Sequence, residues 1–133
     1  METTELHLRT GDRLVTDLTS ELVSFCRSLG DGLVNVFVPH ATAGVALIES
    51  GSGTEPDLQD ALERLLPTAD IYRHRHGSLG HGRDHVLPAF LSPSVTVPVI
   101  DGRPALGMWQ SVVLVDPNGD NPTRQVRFSF VAG

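Results

Sequence analysis

The 133-residue chain contains one cysteine, one tryptophan and one tyrosine, and only 5 % of it is aromatic. No apolar run approaches the ~20 residues of a membrane-crossing helix. The lone Cys26 has no partner for an internal disulfide, so disulfide-stapled scaffolds are excluded and a cytoplasmic setting is expected. With Leu18, Leu22 and Leu29 it shares one apolar helix face, which reads as a small buried hydrophobe rather than a nucleophile. Positive charge is scarce: 10 Lys+Arg face 16 Asp+Glu, a net charge of −6. That balance excludes a general nucleic-acid or anionic-membrane binder and leaves room for a local basic pocket. The opening residues Met1 to Glu5 are acidic and polar, unlike a secretory signal.

What is present suits a single domain over residues 1–133, with 40 % hydrophobic and 20 % charged residues. Glu5 to Thr10 alternates as a strand, and His7, between Leu6 and Leu8, points to the solvated face. A helix capped by Asp17 or Thr19 runs to about Leu29 and ends at Gly30-Asp31-Gly32. Leu33 to Val38 and Gly44 to Glu49 are apolar on both faces, which predicts strands covered on both sides in the middle of a sheet. Thr54 reads as the N-cap of a second helix, with Pro56 in the first turn, Asp57 at the capping-box position, and Pro67 as the stop. From Asp70 to Asp84 periodicity vanishes, and a short helical turn over Val86 to Leu91 is expected after it. The remainder reads as an antiparallel meander. Val95, Val97 and Val99 share a strand face with Pro98 marking an edge or bulge, Asp101-Gly102 turns a hairpin, and Ala105 to Val115 forms one long strand. Val126, Phe128 and Phe130 line the inside of the last strand.

The residues able to do chemistry gather in a few places. Pro39-His40-Ala41-Thr42-Ala43-Gly44 puts a histidine, a hydroxyl and a glycine where two strands meet. The loop from Tyr72 to His85 holds four of the six histidines, with His74-x-His76 on one side of an extended segment. With His40, three or four imidazoles converge on a metal in one reading; three ligands and an open position make a catalytic zinc site. In the other reading they lie on a solvated loop. Glu49 ends an apolar strand, and Asp84 precedes His85, where it either orients an imidazole, receives a proton or caps the next turn. Thr42 and Gly44 offer an approach to a phosphate, with charge from Arg73, Arg75, Arg83, Arg124 and Arg127, although Arg124 and Arg127 read equally well as solvated strand residues. Gly107 and Trp109 share a face of the long strand, facing a flat ligand, a neighbouring subunit or the core.

In order, His40-Ala41-Thr42-Ala43-Gly44, Glu49, Glu55-Pro56-Asp57-Leu58, Tyr72-Arg73-His74, His85, Ser94-Val95-Thr96-Val97-Pro98 and Gly107-Met108-Trp109-Gln110 resemble the landmarks of the YjbQ (UPF0047) family, often labelled secondary thiamine-phosphate synthase. The resemblance covers nearly the whole chain. It implies an α+β single domain with a mixed, largely antiparallel sheet and two main helices, assembled as a homotrimer. It further implies a divalent metal, zinc first and magnesium second, on His40, His74 and His85. The implied catalytic residues are His40, Glu49, Asp84 and His85; Thr42, Gly44, Trp109, Gln110 and Arg124 would bind a small phosphorylated substrate. The implied activity joins a pyrimidine pyrophosphate to a thiazole phosphate, as a main or a side reaction. A metal-dependent hydrolase and a non-enzymatic trimeric binding module are the alternatives. Ala41, Met108 and Ile48 depart from the family pattern, and residues 50–54 and 77–83 look lengthened.

Overall fold

The computed structural model describes residues 1–69, 71–75 and 77–133. His76, and with it the proposed His74-x-His76 pairing, lies outside them. In chain order the elements are β1 (Glu2–Arg9), β2 (Val15–Asp17), α1 (Thr19–Cys26), β3 (Gly32–Phe37), β4 (Gly44–Ile48) and α2 (Thr54–Leu65). There follow α3 (His81–Val86), a 3-10 turn over Leu87–Ala89, β5 (Ser94–Ile100), β6 (Arg103–Pro104), β7 (Ser111–Val115) and β8 (Thr123–Ala132). The strands form a five-stranded sheet in the order β1-β8-β3-β5-β6 and a three-stranded sheet in the order β2-β7-β4. Every ladder among the described residues is antiparallel, so the α+β expectation holds and the parallel component of a mixed sheet is absent there.

Periodicity explains most of this arrangement. In β8 the inward positions Arg124, Val126, Phe128 and Phe130 are buried at two-residue spacing. Val126, Phe128 and Phe130 join Val34 and Val36 of β3 and Val97 and Val99 of β5 beneath Leu18, Leu22 and Cys26 of α1. Each large side chain taken fully out of water there contributes ~1.5–3 kcal/mol. β7 is buried on both faces: Val112 and Leu114 enter this core, while Val113 and Val115 enter a second one. The second core is closed by Leu62 and Leu66 at the end of α2 and by Leu87 just after α3. The apolar stripe of α2 therefore anchors the histidine-bearing segment. No helix among the described residues is long and apolar enough to cross a membrane.

Several expectations need correction. Among the described residues β4 is not a central strand; it pairs only with β7 and forms an edge of the small sheet. β3 is central, yet Leu33 on its outer face is half exposed. The C-terminal third is not a meander, because β7 leaves for the other sheet and β8 inserts between β1 and β3. The long strand from Ala105 is broken by a turn in which Gln110 N–H donates to Gly107 O (3.1 Å) and Gly107 N–H donates to Gln110 Oε1 (2.8 Å). α2 starts one residue earlier than expected, with Thr54 already in the helix and Gly53 at φ 89° as N-cap, and Glu55 rather than Asp57 reaches back, to Gly51 N–H (2.8 Å). The Asp101-Gly102 hairpin holds, both residues having positive φ, 49° and 71°. Pro98 also sits as expected, because β6 covers only Val99 and Ile100 of β5.

Candidate functional site

The loop read as structureless ends five residues earlier than expected. Gly80, at φ 85°, lets the chain enter α3 at His81, and the helix brings His81 and His85 onto one face. A tight packing contact brings His74 to them. A Cβ on Gly82 would stand 2.6 Å from the His74 carbonyl oxygen and 2.7 Å from Tyr72 Cβ, so only glycine lets the Tyr72–His74 segment lie against α3. Tyr72 fixes the other end of that segment by donating to Pro67 O at 2.8 Å. The imidazole centroids of His74 lie 5.2 Å from His81 and 4.3 Å from His85, and the ligand nitrogens of all three fall within 4.8 Å of one another.

Proton accounting makes this group unusual. His81 Nδ1 lies 3.0 Å from Asp120 Oδ2, a charge-assisted contact that assigns the proton to Nδ1. Asn118 Nδ2, 3.1 Å from the same nitrogen, is itself a donor and cannot bond to a protonated Nδ1; it donates to Asp84 Oδ2 at 3.0 Å. His81 Nε2 then carries a lone pair that points at His85 Nε2, 2.9 Å away. Two such nitrogens share a proton or a cation. Zn–N bonds of 2.0–2.1 Å in tetrahedral geometry set ligand nitrogens roughly 3.4 Å apart, so small side-chain adjustments fit this donor set to zinc. A carboxylate behind a ligating imidazole is the usual outer partner of such a site. Hydrogen bonds from Ser78, followed by His81, hold the Asp120 carboxyl down at about 2, so it remains ionised in that role.

Asp84 supports the group from below. It is buried, with Oδ1 accepting from Arg83 Nε at 2.8 Å and Oδ2 from Asn118. Burial raises its pKa against the lowering effect of Arg83. With both oxygens engaged, it frames the site rather than reaching into it. Arg83 also donates to Leu66 O at 3.2 Å, tying α3 to the end of α2. A cavity of about 270 Å³ adjoins the trio, lined by His74, Arg75, Ser78 and His81 among others.

His40 stands elsewhere. His81 takes its expected place beside His74 and His85, and the chemistry of His40 explains why it makes a poor ligand. Its Nε2 accepts the Gln125 backbone N–H at 2.8 Å, so the neutral ring carries its proton on Nδ1 and has no lone pair left for a metal. Burial, then the Arg124 charge, lowers its pKa and favours that neutral form. Arg124 is not a solvated strand residue. It is buried, bonded through Nε to Asp116 Oδ2, and donates from its other nitrogens to Thr123 O (3.0 Å) and Asn118 O (3.3 Å). Thr42 donates to Asp116 Oδ1 at 3.2 Å, and a Cβ on Gly44 would collide with the Leu91 carbonyl. These two residues and Arg124 are thus occupied in packing and internal bonds. Glu49 is exposed beyond the end of β4, and Trp109 and Gln110 lie exposed in the turn before β7.

Sequence reasoning missed His81, Asn118 and Asp120. The four-residue spacing of His81 and His85 was the available signal for the first. Asn118 and Asp120 lie between β7 and β8, in a stretch given no role from the sequence.

A family profile described as "UPF0047 protein YjbQ-like" matches residues 4–133. The chain is 62 % identical over 133 residues to UPF0047 protein Rv2556c of Mycobacterium tuberculosis, covering 100 % of both chains. It is 34 % identical over 124 residues to a UPF0047 protein of Archaeoglobus fulgidus, covering 92 % of this chain and 96 % of that one. Among solved structures, the hypothetical protein APE1520 from Aeropyrum pernix superposes with a TM-score of 0.89 at 27 % identity, covering 100 % of both chains. A YbjQ-like protein of unknown function from Sulfolobus solfataricus gives 0.90 at 19 % identity over 99 % of this chain and 97 % of that one, which speaks for the fold alone.

Proposed function

The chain belongs to the UPF0047 YjbQ-like family, and from that premise we propose a metal-dependent enzyme of the thiamine-phosphate synthase type, joining a pyrimidine pyrophosphate to a thiazole phosphate. The observation that carries the reading is the convergence of His74, His81 and His85 beside an open cavity. Three neutral imidazoles suit zinc better than magnesium, which prefers oxygen ligands. A divalent ion held there would supply charge neutralisation for phosphoryl oxygens. The chain's own contributions are separable from that. Asp120 orients His81, Asp84 and Arg83 hold α3 against α2, and Arg75 lies on the cavity wall. A homotrimer in the cytoplasm belongs to the same reading. Elemental analysis of protein from zinc-supplemented cells should find zinc, and His81→Ala should lose both the metal and the condensation activity. Retention of both by His81→Ala would sink the assignment. Hydrolysis of small phosphate esters without condensation would instead favour a hydrolase.

A further inference from the structure

Two acceptors in the lining of a second pocket, on His40 and Asn121, are already in use. It lies where β1 and β8 end near His40, has a volume of about 460 Å³, and includes Arg9, His40, Asn121, Arg124 and Gln125 in its lining, with no carboxylate side chain. His40 Nε2 is occupied by the Gln125 backbone N–H, so its Nδ1–H is a donor. That nitrogen is not among the buried polar atoms lacking a partner, so it is open to solvent. Asn121 Oδ1 accepts from Thr123 N–H (3.2 Å) and from Thr123 Oγ1 (3.1 Å), which leaves its amide nitrogen to donate outward. Arg9 is exposed and its guanidinium has no ion-pair partner among the described residues. Arg124 sits behind, its charge paired with Asp116 and each of its three nitrogens already donating within the protein. Free donors facing an opening from three separate segments, one of them a guanidinium, match an anion with several oxygens.

We propose that this pocket binds a small oxyanion of the phosphate class through Arg9, His40 Nδ1–H and the Asn121 amide. It does so independently of the histidine trio, in a chain whose net charge of −6 would otherwise repel it. The neutral donor is sustained by the lowered pKa of His40, so binding does not require an imidazolium. Failure of zinc binding at the trio leaves this site standing, and the reverse also holds.

NMR titration of the full chain with inorganic phosphate at pH 7 tests it. The Gln125 amide and the His40 ring should shift saturably, with the ring showing its proton on Nδ1. Arg9→Ala should weaken binding at least about fivefold, as expected for a charge-assisted contact, and His81→Ala should leave it unchanged. Phenyl phosphate binding more tightly would point to a monoester, and equal binding to the bare phosphate group; either supports the site. Four results would overturn it: shifts that never saturate, insensitivity to Arg9→Ala, acetate binding as well as phosphate, or loss of binding in His81→Ala. A His40 proton found on Nε2 would remove its basis as well.

Discussion

His40 and the trio of His74, His81 and His85 flank one buried network and do opposite things with their nitrogens. His40 stands between two strands and spends its lone pair on a backbone N–H from β8. The trio hangs on a six-residue helix and a loop, yet presents nitrogens to one another. Position at the end of a rigid strand suggested that His40 was the anchor of the site. The difference teaches that lone-pair accounting, rather than scaffold rigidity, decides which imidazole can hold a metal. Between them Asn118 lies against His81 and bonds to Asp84, Arg124 and Asp116, with Thr42 also on Asp116.

The widest way to break the comparison is to remove what both sides share. Arg124→Met leaves Asp116 charged and buried, and should cost ~3–5 kcal/mol of stability by urea denaturation. Arg127→Met removes an exposed pair with Glu5 at 3.0 Å on the same strand and should cost no more than ~1 kcal/mol. Equal losses would mean that the buried pair does not organise this end of the sheet.

A narrower cut separates the two histidine environments. His85→Ala should reduce zinc affinity by more than the roughly 10–100-fold attached to outer-partner substitutions, whereas His40→Ala should leave zinc affinity within experimental error, both by competition with a chromogenic chelator. The opposite ranking would return His40 to the metal. Asp120→Asn should fall between them, at about 10–100-fold weaker zinc, because the outer carboxylate no longer sets the His81 tautomer. A zinc affinity unchanged by that substitution would leave Asp120 with only its hydrogen bond to Ser78 N–H.

Gly82→Ala probes how the trio is assembled. The added methyl has no room against His74 O and Tyr72 Cβ, so overpacking should cost ~1–3 kcal/mol and displace His74. Zinc affinity should fall in the same variant while phosphate binding beside His40 persists. Unchanged zinc affinity would show that His74 contributes little to the trio.

Much of the fold was legible because burial follows period. The spacing of Val126, Phe128 and Phe130 marked the inner face of β8, and the same two-residue step carried backward reaches Arg124, which marks it as buried rather than solvated. Apolar stripes located α1 and α2, and Asp101-Gly102 located its hairpin. What escaped depended on contacts between distant segments. Nothing local says that β7 leaves its neighbours for β2 and β4, or that His40 meets Gln125, 85 positions away. Gly80 and Gly82 made residues 77–83 look like plain loop, although one starts a helix and the other admits a close-packed segment.

The smallest expected effect concerns acid. His40 has a folded-state pKa below its ordinary 6.5, chiefly because burial disfavours the charged ring and then because Arg124 repels it, with Asp116 opposing. The unfolded chain therefore binds the proton first as pH falls through 6.5. His40 contributes its full share of stability above that pH and loses it progressively until the folded-state pKa is passed, below which the loss stops growing. In His40→Gln the side-chain oxygen can still accept the Gln125 N–H, and the titration is gone. The other histidines are common to both proteins, so the difference in unfolding free energy between wild type and variant isolates His40. That difference should drift against the wild type between pH 7 and pH 5, measured by urea denaturation in metal-free buffer. A flat difference would mean that folding does not shift His40, and one that grows in favour of the wild type on acidification would mean that the folded chain prefers the charged ring. Its Nε2 could not then accept from the backbone, and the contrast with the trio would collapse.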